Sequence, residues 1–185
     1  GPLGSSVGLA TLNGWVHGLA GVHMALYTVT DWLGLVPIGV ALSFAVCGLV
    51  QWIRRRSLRR VDGDILALGG FYVAVIAVFL LFEVVAVNHR PVLIEGVLEV
   101  SYPSSTTLLV TCVMPTAAMV WGTRMRGRLL RGCVTAVVVG FTVFMVIGRL
   151  VAGVHWVTDI IGGVLLSGAL VTAYGWTARA VMRRE

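Results

Sequence analysis

The stretch "GRLVAGVHWVTD" (148–159) sets Arg149, His155 and Asp159 inside an apolar part of the chain. His155 and Asp159 stand four residues apart, so they share one face if the last helix begins near 155. A carboxylate one turn away can keep one imidazole nitrogen protonated and leave the other free as a base or nucleophile. Arg149 adds a planar fork of donors that matches the oxygens of a tetrahedral anion. Taken alone, the three residues also fit interfacial anchors and a helix cap.

A second segment, "NHRPVLIEGVLEVSYPSSTTLLV" (88–110), offers complementary groups. Arg90 precedes Pro91, which restricts the backbone there. The run "YPSSTT" opens an apolar stretch with N–H groups that no helical carbonyl satisfies. A Ser- and Thr-rich helix start either caps itself or receives an anion. Placed on one side of the molecule, two arginines, this helix start and the His–Asp pair form a site suited to a tetrahedral anion.

The elements that must bring these groups together are membrane helices. The 185 residues are 58% hydrophobic and 12% charged, whereas soluble domains carry about 25% charged residues. Mean hydropathy is +0.94. Five runs approach the roughly 20 apolar residues a bilayer requires: 33–53, 65–87, 104–121, 130–150 and 156–178. The expected fold is all-α, a polytopic membrane helix bundle of five spans plus an N-terminal helix.

Net charge is +6, and all of the Lys plus Arg total is arginine. Twelve arginines fall in three clusters: Arg54, Arg55, Arg56, Arg59 and Arg60; Arg124, Arg126, Arg128 and Arg131; and Arg179, Arg183 and Arg184. Each cluster ends an apolar run, the pattern of loops retained in the cytoplasm, which favours headgroups over nucleic acid as the partner. The 88–103 loop and the 149–156 turn then face outward, and the chain ends inside. Arg90 and Arg149 are the two arginines left on the outer side, and there they need a reason other than topology.

The segment 12–32 is apolar but broken by glycines and by His17 and His23, so it reads as an interfacial helix or a first span. The two histidines read as interfacial decoration rather than metal ligands. The opening "GPLGS" resembles a protease-cleavage scar, and an outer start before 33 fits a removed upstream helix. The expected organisation is 1–11 as scar and flexible start, 12–32 as the N-terminal helix, 33–180 as the membrane domain and 181–185 as a cytoplasmic tail. Cys47, Cys112 and Cys133 lie in or beside apolar runs without ligand spacing. Trp15, Trp32, Trp52, Trp121 and Trp156 fall near span ends, as an aromatic belt does.

These residues resemble the type 2 phosphatidic acid phosphatase and haloperoxidase superfamily. Its membrane members carry Lys-x6-Arg-Pro, Pro-Ser-Gly-His and Ser-Arg-x5-His-x3-Asp. The third motif is matched at Arg149, His155 and Asp159, with Gly148 at the serine position. Arg90 and Pro91 match the first, with Glu83 at the lysine position; Pro103 and Ser104 match the second, with Thr106 at the histidine position. The resemblance covers roughly 33–180 and implies a bundle of about six membrane helices with an outward site that a lipid headgroup reaches laterally.

Carried over, the resemblance implies a membrane lipid phosphatase in a bacterial-type plasma membrane. His155 would attack phosphorus to form a phosphohistidine, and Asp159 would orient it. Arg90, Arg149, Ser104 and Ser105 would bind phosphate oxygens, and neither metal nor other cofactor is implied. Thr106 occupies the general-acid position but is not an acid at neutral pH, and losing such an acid costs about 10²- to 10⁴-fold. A phosphate leaving group suffers less, so a prenyl (undecaprenyl-type) diphosphate is the expected substrate. His89 is a candidate substitute acid. Glu83 would repel an anion unless protonated, paired with Arg90 or Arg149, turned away, or used to bind a hydroxyl or cation. Two alternatives follow: a phosphotransferase, or a non-hydrolytic relative that binds or transports a lipid-linked anion.

Overall fold

The computed structural model describes residues 1–182. The expected 181–185 tail, with Arg183 and Arg184, lies largely outside them. The described residues form seven α-helices: α1 (Ala10–Ala20), α2 (Met24–Leu33), α3 (Leu35–Arg55), α4 (Gly63–Val85), α5 (Ser105–Arg124), α6 (Arg128–Val151) and α7 (Val157–Met182). Among them only isolated bridges, His89 with Val100 and Ile94 with Val97, represent β structure. The all-α membrane bundle is therefore observed, and five stretches are long and apolar enough to cross a bilayer.

The N-terminal segment differs from a single helix over 12–32. It breaks at Gly21–His23, and α2 runs on through a helical Gly34 into α3, giving one apolar stretch from Met24 to Arg55. Its 32 residues would span about 48 Å at 1.5 Å per residue, against a hydrocarbon core of about 30 Å. This stretch is therefore long enough for α2 to stand beyond the core.

Helix α5 is the axis of the bundle. It packs on α3, α4, α6 and α7, and its own faces are the most enclosed of the five spans. One core joins Phe44 of α3, Leu68 and Phe71 of α4, Leu108 and Val120 of α5, and Tyr174 of α7. Another joins Val110 and Met114 to Val138 and Met145 of α6.

The two ends of the bundle carry different chemistry. At one end Asp62, between α3 and α4, accepts from Arg55 (2.7 Å) and Gln51 (2.8 Å). Arg124 at the end of α5 lies 2.8 Å from Asp64. The arginine clusters 54–60 and 124–131 thus share an end, closed by ion pairs between helices. At the other end lie the 86–104 loop, the 152–156 turn and the starts of α5 and α7, tied by Ser104 N–H donating to the Asp159 carbonyl (3.2 Å).

Candidate active site

His155 occupies the turn between α6 and α7 and is 3% exposed. Its Nδ1 lies 3.2 Å from the Ser101 carbonyl oxygen, and its Nε2 lies 3.3 Å from Arg90 Nη1 and 3.2 Å from Arg149 Nη2. A carbonyl only accepts and a guanidinium only donates, so Nδ1 must carry the proton and Nε2 must present its lone pair. The tautomer thus follows from the neighbours. Burial first, joined by the two guanidiniums and opposed by Asp159, takes the imidazole pKa down to about 4, which keeps Nε2 unprotonated at neutral pH.

Asp159 is fully buried at the third position of α7. Its Oδ2 accepts from the Trp156 N–H (3.0 Å) and its Oδ1 from Asn88 Nδ2 (3.0 Å). This is the reciprocal half of a capping box, a carboxylate reaching back to the residue that begins the helix. Asp159 Oδ2 is 3.8 Å from His155 Nδ1, within ion-pair range but beyond a hydrogen bond. The sequence expectation gave the orienting role to Asp159; in the structure Nδ1 meets the Ser101 carbonyl at hydrogen-bond distance, while Asp159 stays within ion-pair range of the same nitrogen and also shapes the turn that holds the ring.

The two arginines converge although they come from different elements. Arg149 ends α6 and Arg90 sits in the 86–104 loop, yet both reach one imidazole nitrogen. Each has a carboxylate of its own. Glu99 Oε2 is 2.8 Å from Arg90 Nε, and Asp31 Oδ1 is 3.6 Å from Arg149 Nη1. Among the described residues Glu83 has no ion pair; of the alternatives open to it, pairing with Arg90 or Arg149 is not the one seen, and Glu99 and Asp31 hold those arginines instead. Glu83 does line the same cavity as His155, Arg90, Glu99, Tyr102 and Ser105, a space of about 370 Å³.

The start of α5 offers unspent donors. Ser104, its N-cap, makes no side-chain cap bond, and the buried Oγ of Ser104, Oγ1 of Thr107 and Oγ of Ser101 have no hydrogen-bond partner among the described residues. Buried polar atoms are rarely left this way without a ligand or water to meet them. Ser105 opens onto the cavity, whereas Thr106 lines an adjoining apolar cavity of about 400 Å³ between α2, α3, α4 and α5. His89 is not among the residues lining the polar cavity. Its carbonyl accepts from Trp156 Nε1 (2.7 Å). Among the described residues no group of three or more His, Cys, Asp or Glu is placed to hold a metal ion.

Several partners escaped the sequence reading. Ser101 acts through its backbone, which carries no side-chain signal. Asn88 also accepts from the Gly8 N–H (3.1 Å), and buried Asn13 of α1 accepts from the Thr158 N–H at the start of α7 (3.2 Å). Both asparagines were legible as polar residues in apolar surroundings, but nothing in their spacing named a partner.

The chain matches a family model described as the PAP2 superfamily over residues 38–183. No curated protein matches it by sequence. Among solved structures it is similar to the first transmembrane PAP2 type phosphatidylglycerolphosphate phosphatase from Bacillus subtilis. The TM-score is 0.58 at 17% identity, covering 92% of this chain and 94% of that one.

Proposed function

This chain belongs to the PAP2 superfamily, and on that premise we propose that it is a membrane lipid phosphate phosphatase working through a phosphohistidine at His155. The observation that carries the reading is the setting of the His155 ring, with Nδ1 on a carbonyl and Nε2 flanked by guanidiniums at 3.2 and 3.3 Å, which leaves the Nε2 lone pair free. Phosphate oxygens take over those guanidinium N–H groups and the free donors of Ser104 and Ser105. The Nε2 lone pair then faces phosphorus. The N–P bond forms as the bond to the leaving oxygen breaks, and that oxygen keeps the electron pair. Water next attacks phosphorus, the N–P bond breaks, and orthophosphate leaves with the proton balance returned to solvent.

A prenyl diphosphate is the substrate proposed first, because its leaving group is a phosphate and needs no strong acid where Thr106 stands. The headgroup enters from the outer face in a plasma membrane of bacterial type, with the arginine clusters and C-terminus cytoplasmic. One observation favours a second reading: Glu83 and Glu99 both line the cavity, and carboxylates suit a phosphate attached to a hydroxyl-bearing headgroup better than a second phosphate.

The test is phosphate release by the purified protein from prenyl diphosphates, prenyl monophosphates, phosphatidic acid and phosphatidylglycerolphosphate, with quenched samples probed for acid-labile phosphate on the protein. Wild type is expected to release phosphate and to trap label on His155, and His155→Gln to do neither. Turnover by His155→Gln would remove the nucleophile assignment. Tight binding of every substrate with no release would establish the non-hydrolytic alternative, and transfer of phosphate to an added alcohol the phosphotransferase.

A further inference from the structure

Helix α2 lies before the residues matched by the family model, which begin at 38, yet it meets the site directly. The Tyr27 ring faces both guanidiniums, its centroid 4.9 Å from the Arg149 carbon and 5.9 Å from that of Arg90. Arg149 Nη1 donates to Thr30 Oγ1 (3.5 Å), and Asp31 stands 3.6 Å from the same nitrogen. Arg149 is 1% exposed, so its charge has little water to rely on. Two like charges converge on one nitrogen here, and an aromatic face is a partner that attracts both without occupying their N–H groups.

The departure at the third motif fits this contact. The residue before Arg149 is Gly148, where the family pattern has serine. A Cβ at that position would meet Thr30 Cγ2 at 2.8 Å, closer than non-bonded carbons tolerate. Glycine at 148 is therefore what lets Thr30 approach near enough to receive Arg149. The entry of α2 is fixed as well: His23 N–H donates to the Ala152 carbonyl (3.0 Å). At Gly153, whose φ is +69°, a side chain would run into the Gly21 carbonyl.

We propose that α2 is a working part of the anion site, in which Tyr27 and Thr30 are positioning residues that hold Arg149, and with it Arg90, against His155 Nε2 in the space left by Gly148. The inference rests on the arginines binding phosphate, as proposed above, but not on turnover. It identifies α2 as a determinant of anion affinity.

The test measures binding of radiolabelled orthophosphate to the purified full chain by equilibrium dialysis, alongside phosphate release. Maximal occupancy reports the folded fraction and the midpoint reports affinity. Tyr27→Leu is expected to weaken affinity about 3- to 30-fold at full occupancy, and Tyr27→Phe, which keeps the ring face, to restore it. Gly148→Ala should weaken affinity about tenfold by displacing Thr30. Adding Thr30→Ser removes the obstructing methyl, keeps the hydroxyl and should recover the loss. Unchanged affinity in Tyr27→Leu, or no recovery in the Gly148→Ala, Thr30→Ser pair, overturns the proposal. If Tyr27→Leu fails to fold, the Gly148→Ala pair decides. A wild type that binds no phosphate overturns both readings, whereas these affinity changes in a protein that releases no phosphate leave this inference standing and sink the phosphatase.

Discussion

The neutral state of His155 is open to direct measurement. A solvated imidazole titrates near 6.5, whereas burial, followed by the repulsion of Arg90 and Arg149, takes this one down to about 4. At pH 5 an ordinary histidine would be about 3% neutral and His155 about 90%, roughly a thirtyfold difference in neutral imidazole. The perturbation is acidification, and the assay is nitrogen-15 NMR of histidine in the substrate-free protein in micelles, with His155→Gln assigning the resonance. Leaving substrate out avoids confusion with the phosphate's own titration. Replacing Arg149 by Gln removes one repulsion but not the burial, so the midpoint should rise and still stay below 6.5. Stability follows the same sign. Because the folded pKa lies below the unfolded one, protonation favours unfolding, and this contribution is complete above about pH 6.5 and lost as pH falls toward about 4. A wild-type midpoint between 6 and 7 would refute the assignment of Nε2 as an acceptor enclosed by two guanidiniums.

Three further outcomes follow from particular contacts. Asn88→Leu removes the donor to Asp159 Oδ1 and the acceptor of the Gly8 N–H; leaving a buried carboxylate short of a partner should cost about 1–3 kcal/mol, read as a lower Tm together with slower turnover. Glu99→Gln releases Arg90 from its ion pair; Glu99 is partly exposed, so the gain in orthophosphate affinity should be modest, up to about fivefold, and weaker binding would refute competition between Glu99 and the anion. Asp62 is held below the usual carboxylate range, chiefly by the Arg55 hydrogen bond; its stabilisation is present above about pH 4 and lost as pH falls through the lower folded value. Asp62→Asn should therefore lower Tm at pH 7 and flatten the acid loss.

The spans and the third motif were legible because each is written locally. Apolar length marks a membrane helix without reference to its neighbours, and the six- and four-residue intervals of Arg149, His155 and Asp159 survive as one turn between two helices. What could not be read was partnership at a distance. The acceptor for His155 is a carbonyl 54 residues earlier, and every residue has such a carbonyl. Glu83 drew attention as a substitution, yet the carboxylate on Arg90 is Glu99, because the loop folds back and brings it there. Helix α2 was legible as apolar sequence broken by glycine and histidine. Its role depends on Gly148, whose missing side chain has meaning only once Thr30 is beside it.

The enclosure of α5 bears on how the protein is made. It is the least apolar of the five spans and the most enclosed. Its hydroxyls point to partners in the bundle: Thr111 donates to Ser167 of α7 (2.6 Å), and Thr116 lies 3.5 Å from the Tyr72 hydroxyl of α4. Both hydroxyls also reach carbonyls of α5 itself, Thr111 that of Thr107 and Thr116 that of Cys112 (2.8 Å), so the helix can carry them into the membrane satisfied and exchange them into the bundle as it packs. Helix α4 precedes it, is the most apolar span, and can accompany it as a hairpin. Helix α7 is synthesised last, and until it arrives the start of α5 lacks the Asp159 carbonyl that receives Ser104. Insertion of the final helix therefore completes the His155 end of the molecule, because α7 brings the Asp159 carbonyl that accepts from the Ser104 N–H.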